Sequence, residues 1–170
     1  EIPIPEKLVK RPSTFYFGSL LLQNDTKIWT SLMYGDGNGK LISYDTNKMS
    51  FDAIDLSPKI SSPIRMTMDN SEKNWITDFE SNSFFEFSPQ TMKMKEYLTS
   101  PLDSRINNNN TNTNNYNYFT APFEITTGSN NTIWFTEYLG NKIAQFLPEE
   151  RMLVEYWIPG TNSTFCINER

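Results

Sequence analysis

Apolar and polar residues alternate with a period of two in short runs, and the runs recur in sets of four. Three segments align on their tryptophans: FGSLLLQNDTKIWTSL from Phe17 to Leu32, PIRMTMDNSEKNWITD from Pro63 to Asp78, and PFEITTGSNNTIWFTE from Pro122 to Glu137. In each, an alternating run passes through a polar turn into a second run in which Trp29, Trp75 or Trp134 holds the same place. A third run follows from a turn residue, as Gly39 to Tyr44, Asn82 to Phe87 and Asn141 to Phe146. After another turn, a fourth run ends at proline: Ser50 to Pro58, Met94 to Pro101, Leu153 to Pro159. Period-two alternation broken by turn signals every eight to twelve residues predicts antiparallel meanders of four short strands.

The tryptophans lie 46 and 59 residues apart. The longer gap contains an asparagine-rich tract in which eight of the eleven residues from Asn107 to Asn117 are Asn. Such a tract supplies nothing to a core and reads as a surface loop inserted at a cheap position. Without about 16 residues of it the spacing returns to the roughly 40–50 residues of one four-stranded β-propeller blade. The expected fold is therefore all-β, with three complete blades and partial flanking strands of an incomplete ring. The expected divisions are 1–16 as the outer strand of a preceding blade with a linker, and 17–62 as blade one. Blade two spans 63–121 with its insertion at about 102–119, blade three 122–160, and 161–170 begins a further blade.

Composition narrows the chemistry. Aromatic residues make up 14% of the chain, so the core is built on large rings, which favour strands. The chain contains no histidine and one cysteine, Cys166. It therefore lacks the commonest proton shuttle near neutral pH and the commonest transition-metal ligand, and it forms no internal disulfide. A net charge of -5 argues against general nucleic-acid binding, which needs basic patches. No stretch approaches eighteen apolar residues, so no helical membrane span is expected. Four Asn-X-Ser/Thr sequons, at Asn24, Asn109, Asn130 and Asn162, are candidate glycosylation sites and favour an extracellular or cell-surface location.

The stretch from Gly128 to Pro159 resembles a repeat of the virginiamycin B lyase (streptogramin lyase) β-propellers and, more distantly, NHL-type blades. The likeness rests on a proline-led inner strand, the run Ile133-Trp134-Phe135-Thr136-Glu137, then Asn141-Lys142-Ile143, an aromatic, a proline turn, and Glu155-Tyr156 before Ile158-Pro159. The second repeat keeps Pro63, Trp75-Ile76-Thr77-Asp78, Asn82, Phe84, Phe87-Ser88-Pro89 and Glu96-Tyr97. The first keeps Trp29 but has Ser31-Leu32 at the Thr-Glu place. The resemblance implies a seven-bladed ring, and a lyase that opens a streptogramin ester ring by elimination with Mg²⁺ and histidine-centred acid/base groups. No position here receives those histidines. The acidic place in the tryptophan strand is filled by Asp78 and Glu137, as catalytic groups or, in the structural reading, as residues capping a turn or making a cross-blade hydrogen bond.

Three blades do not close a ring of the usual four to eight, and an open arc leaves apolar sheet faces uncovered. The remaining blades are expected from the same precursor, or else from another subunit or further copies.

On the inner strands Ser19, Arg65 and Glu124 fall at equivalent places, two after Phe17, Pro63 and Pro122. Arg65 and Glu124 are the candidate ligand contacts, with an ion pair between adjacent blades as the alternative. The three tryptophans read as blade core. Asp36-Gly37-Asn38-Gly39 with Asp45, and Asp69-Asn70-Ser71-Glu72, read as turns before they read as Ca²⁺ loops, because the full ligand spacing is missing. No metal site is assigned; Mg²⁺ or Ca²⁺ has only weak support. Lys93 and Lys95 are expected outward and Met92 and Met94 inward on an outer strand. The leading functional expectation is a non-enzymatic interaction or structural module binding protein or glycan. The alternative is a segment of a Mg²⁺-dependent streptogramin lyase-like enzyme whose histidines lie outside this chain.

Overall fold

The computed structural model describes residues 4–5, 15–34, 38–56, 60–101 and 119–159. Among them are three four-stranded antiparallel sheets and a single 3-10 turn, Ser129–Asn131. The first sheet runs β1 (Phe15–Gln23), β2 (Lys27–Tyr34), β3 (Gly39–Asp45) and β4 (Ser50–Asp55). The second holds β5 (Pro63–Met68), β6 (Asn74–Asp78), β7 (Ser83–Ser88) and β8 (Lys93–Leu98). The third holds β9 (Pro122–Thr127), β10 (Ile133–Glu137), β11 (Lys142–Leu147) and β12 (Met152–Trp157). In each sheet neighbouring strands are consecutive in sequence. This is the expected all-β arrangement of propeller blades.

The sheets sit side by side through their first strands, with β5 against β1 on one side and β9 on the other. Each first strand carries an irregularity close to its start: between Phe17 and Leu20 in β1, and between Pro63 and Arg65 in β5. In the third sheet it lies between Phe135 and Glu137, opposite the start of β9. A bulge bends its strand and increases local twist, here at the same end of every sheet.

Two cores fill the wedges between sheets. Between the first and second, Trp29, Leu41 and Leu56 meet Met66, Ile76, Phe85 and Phe87. Between the second and third, Trp75 and Phe84 meet Ile133, Phe135, Ala144 and Phe146. Both faces of the second sheet are covered at its middle, where β6 is buried at every position. Gly18 is required by close approach. A Cβ there would fall onto Ser31 Oγ and within 2.7 Å of the Ile64 carbonyl oxygen.

The β3–β4, β7–β8 and β11–β12 turns place Met49, Met92 and Arg151 in the left-handed region, at φ of 51°, 58° and 54°. This explains one departure from simple alternation. Met92 sits in that turn and is exposed, whereas Met94, inside β8, packs on the first core. Ile4 and Pro5 lie outside any strand, and Ile4 packs beside Leu32, Tyr34 and Ile42. The rest of the expected leading strand, the Asn-rich insertion, the Asp36-Gly37 turn, Asn109, Asn162 and Cys166 lie outside the described residues. No described helix is long and apolar enough to cross a membrane.

Candidate functional site

The first strands line one inner wall, and their bulged ends put polar side chains from different sheets within reach. Ser19 Oγ accepts the Met66 N–H at 2.8 Å, tying β1 to β5. Arg65 Nε donates to Glu124 Oε1 at 2.8 Å, tying β5 to β9. The Arg65 guanidinium also lies over the Phe123 ring, 5.0 Å from its centre. Further along, Thr67 and Thr127 hydroxyls are 3.1 Å apart. The three equivalent places noted in the sequence are thus brought together, with two of them paired to each other. Their side chains remain accessible, at 33% for Arg65 and 58% for Glu124.

Beside this pair, Phe79, Phe123 and Tyr138 form an aromatic group with ring centres 5.3–6.1 Å apart. Phe79 and Tyr138 follow the ends of β6 and β10, and Phe123 lies one place before Glu124. An ion pair next to a partly exposed aromatic ledge is able to contact a ligand through stacking and hydrogen bonds. The ledge escaped the sequence reading because two of its rings lie beyond strand ends, where alternation gives no orientation.

Asp78 and Glu137 lie at the ends of β6 and β10, at this same end of the sheets, and both are buried. Asp78 accepts the backbone N–H of Ser62 at 2.6 Å and of Ser61 at 3.3 Å, and the Phe79 N–H returns to the Ser62 carbonyl at 2.9 Å. It holds the connector entering β5. Burial raises its pKa, partly offset by those backbone donors. Its two oxygens are taken up by the connector that leads into β5.

Glu137 is set differently. Its oxygens have no hydrogen-bond partner, and its contact with Lys142 Nζ, at 3.5 Å, is an ion-pair distance too long for a good hydrogen bond. Lys142 instead donates to Glu155 Oε2 at 3.0 Å, and Glu155 Oε1 accepts the Ser100 N–H at 2.8 Å. Burial, then the neighbouring Glu155 charge, pushes the Glu137 carboxyl up to about 8. Around it Thr120 donates its N–H to Asn82 Oδ1 at 2.6 Å, and the Thr99 and Thr120 hydroxyls meet at 2.7 Å. This knot fastens residues on both sides of the inserted tract. Lys142 and Glu155 enter the sequence reading only as parts of the repeat signature and Thr99 and Thr120 not at all, because nothing in the sequence marks residues on four separate segments as neighbours.

Neither acid is presented to the inner wall as a free base. Among the described residues no three His, Cys, Asp or Glu side chains gather as a metal site. The Asp69 turn is closed by its own contacts: Oδ1 accepts from Ser71 and Lys73, and Oδ2 from the Trp75 indole. Asp45 likewise accepts from the Asn47 and Lys48 backbone. The sequon residues Asn24 and Asn130 are exposed, in a hairpin turn and in the 3-10 turn.

Trp29 and Trp75 are buried between sheets, and their indole N–H groups reach Gln23 at 2.7 Å and Asp69 at 2.9 Å. Trp134 holds the equivalent place on the outer face of the third sheet, stacked on Tyr156, and is only half-buried. Three tryptophans repeat on three four-stranded meanders, each aimed at the place of a following blade.

The fold is that of the virginiamycin B lyases. The virginiamycin B lyase of Staphylococcus aureus superposes with a TM-score of 0.63 at 20% identity, over 89% of this chain and 47% of that one. A catalytically inactive His-to-Ala form of the S. aureus lyase, solved with quinupristin, gives 0.63 at 23% identity over 85% and 42%. A streptogramin B lyase gives 0.57 at 18% identity over 85% and 59%. The chain thus spans less than half the length of the S. aureus virginiamycin B lyases it matches. No family model and no curated protein matches the sequence.

Proposed function

We propose that these three blades are part of a streptogramin lyase-like propeller whose acid/base histidines lie in blades outside this chain. The observation that carries the reading is the superposition on virginiamycin B lyases over nearly all of this chain, together with the absence of histidine from it. In this reading the chain supplies scaffold and wall. Arg65, Glu124 and the Phe79–Phe123–Tyr138 ledge contact the ligand, while Asp78 locks the connector into β5. The described residues offer no donor set for Mg²⁺, so no step through the metal is assigned to them.

The test is Mg²⁺-dependent ring opening of quinupristin by the propeller that contains these blades. Activity is expected from that assembly and none from the 170 residues alone. Arg65→Ala and Glu124→Ala in the assembly are expected to raise KM more than they lower kcat. Completing blades without histidine at inner-strand loops, or an inactive assembly, overturn the reading.

A second reading is a non-enzymatic extracellular or cell-surface module that binds protein or glycan. It is supported by the closure of Asp78 on its own connector and by the exposed sequon residues Asn24 and Asn130. Glycan at either asparagine in the native protein, with no turnover of quinupristin, favours it.

A further inference from the structure

The chain holds seven methionines, and the blades sort them by place. Met66 is buried and Met94 half-buried in the core between the first and second sheets. Met33 and Met68 are half-buried in β2 and β5. The other three, Met49, Met92 and Met152, are 69%, 56% and 47% exposed. All three lie where the third strand of a sheet turns into the fourth. Met49 closes the β3–β4 turn, Met92 the β7–β8 turn, and Met152 follows Arg151 out of the β11–β12 turn.

The first two places are strained for the residue they carry. Met49 and Met92 stand in the left-handed region, at φ of 51° and 58°, where glycine or asparagine is relaxed and a long side chain is not. Neither side chain belongs to a core cluster. Strain kept at an exposed side chain with no core packing to offset it points to a use for the side chain itself. Met152 takes the place of Lys93, which is exposed in the sheet that has a neighbour on each side. That position is therefore open by its place in the blade. What methionine offers there, and leucine of similar size does not, is a soft thioether sulfur that takes up one oxygen reversibly.

We propose that Met49, Met92 and Met152 are reversible oxidation sites, which take up peroxide oxygen at the outer rim and so spare the thioethers between the blades. The step is an oxygen transfer from hydrogen peroxide. The sulfur lone pair attacks one peroxide oxygen, and an S–O bond forms as the O–O bond breaks. The departing hydroxide takes the proton left on the first oxygen and becomes water. Sulfur is oxidised to the sulfoxide, peroxide is reduced, and a thiol-driven methionine sulfoxide reductase restores the thioether. A polar sulfoxide on the rim stays in water. On Met66 or Met94 it would enter the cluster with Trp29, Ile76 and Phe87. The rim sites also lie at the far end of the sheets from the aromatic ledge. The Thr46 N–H at the β3–β4 turn donates to the Thr26 carbonyl of the β1–β2 turn at 2.8 Å, whereas the ledge follows the opposite ends of β6 and β10. Oxidation there goes beyond either functional reading and is measured separately from both.

The experiment is limited oxidation of the 170-residue chain, its Cys166 thiol blocked, with three equivalents of hydrogen peroxide, mapped residue by residue by peptide mass spectrometry. Oxygen is expected on Met49, Met92 and Met152 on the order of tenfold faster than on Met66 and Met94, with the urea midpoint unchanged. Methionine sulfoxide reductases A and B with a thiol are expected to remove it. In the triple variant Met49→Leu, Met92→Leu and Met152→Leu, the same peroxide is expected to reach Met94 and lower the midpoint. Equal rates at rim and core in the wild-type chain, a midpoint that falls when only the rim is oxidised, or a triple variant whose core is spared equally would each overturn the proposal. The wild-type rates decide the first two points without any variant.

Discussion

Arg65 and Glu124 join the first strands of two adjacent blades through a 2.8 Å contact, Nε to Oε1, on the inner wall. Both side chains keep access to solvent, so the pair orients the wall more than it stabilises it. A double-mutant cycle of Arg65→Ala and Glu124→Ala, read by urea unfolding, is expected to give a coupling of about 1 kcal/mol or less. A value several-fold larger would assign the pair a structural role.

Trp75 and Trp134 occupy the same place in their blades and differ in cover. Trp75→Ala opens a void between two sheets and is expected to cost roughly 3–5 kcal/mol. Trp134→Ala, at a half-buried position, is expected to cost roughly half of that or less. Equal losses would mean that the outer face of the third sheet is already covered.

Asp78 holds two backbone N–H groups of the connector into β5. Asp78→Ala strands both and is expected to lower stability by about 1–3 kcal/mol, whereas Asp78→Asn, which keeps an acceptor, is expected to lose less. The comparison is made by chemical denaturation.

Glu137 is held protonated by burial and by the Glu155 charge, with its pKa raised from 4.5 to about 8. Between those values the folded chain keeps a proton that the unfolded chain has released, so raising the pH favours unfolding. This contribution to stability is expected to fall as pH rises from about 4.5 to about 8 and to be flat above. Glu137→Gln, neutral throughout, is expected to remove that slope in unfolding curves taken across the window. A slope unchanged in the variant would place its origin elsewhere.

Met92 adopts φ of 58° in an exposed turn, where a side chain is strained and little packing is lost on its removal. Met92→Gly is expected to raise stability by roughly 0.5–1 kcal/mol, after the added freedom of the unfolded chain is set against the relieved strain. The midpoint of urea unfolding reads it directly.

The repeat was legible because its signals are local. Alternation around Trp29, Trp75 and Trp134, and turn residues at fixed offsets, define the hairpins without reference to the rest of the molecule. Equivalent positions in a repeat are also brought to equivalent places, which is why Arg65 and Glu124 could be named from sequence. The Glu137–Lys142–Glu155 group was not legible, since its members meet only when β10, β11 and β12 pair in register. The difference between Asp78 and Glu137 was hidden for the same reason: one meets connector N–H groups, the other a lysine already held by a second acid. Met92 misled simple alternation because a left-handed turn residue interrupts the strand period.

The central claim is that this chain is three consecutive blades of an incomplete ring. Small-angle X-ray scattering on the 170-residue chain tests it most directly. The account predicts an open three-bladed arc at 19.8 kDa. A folded 19.8 kDa monomer scattering as a closed ring would contradict it.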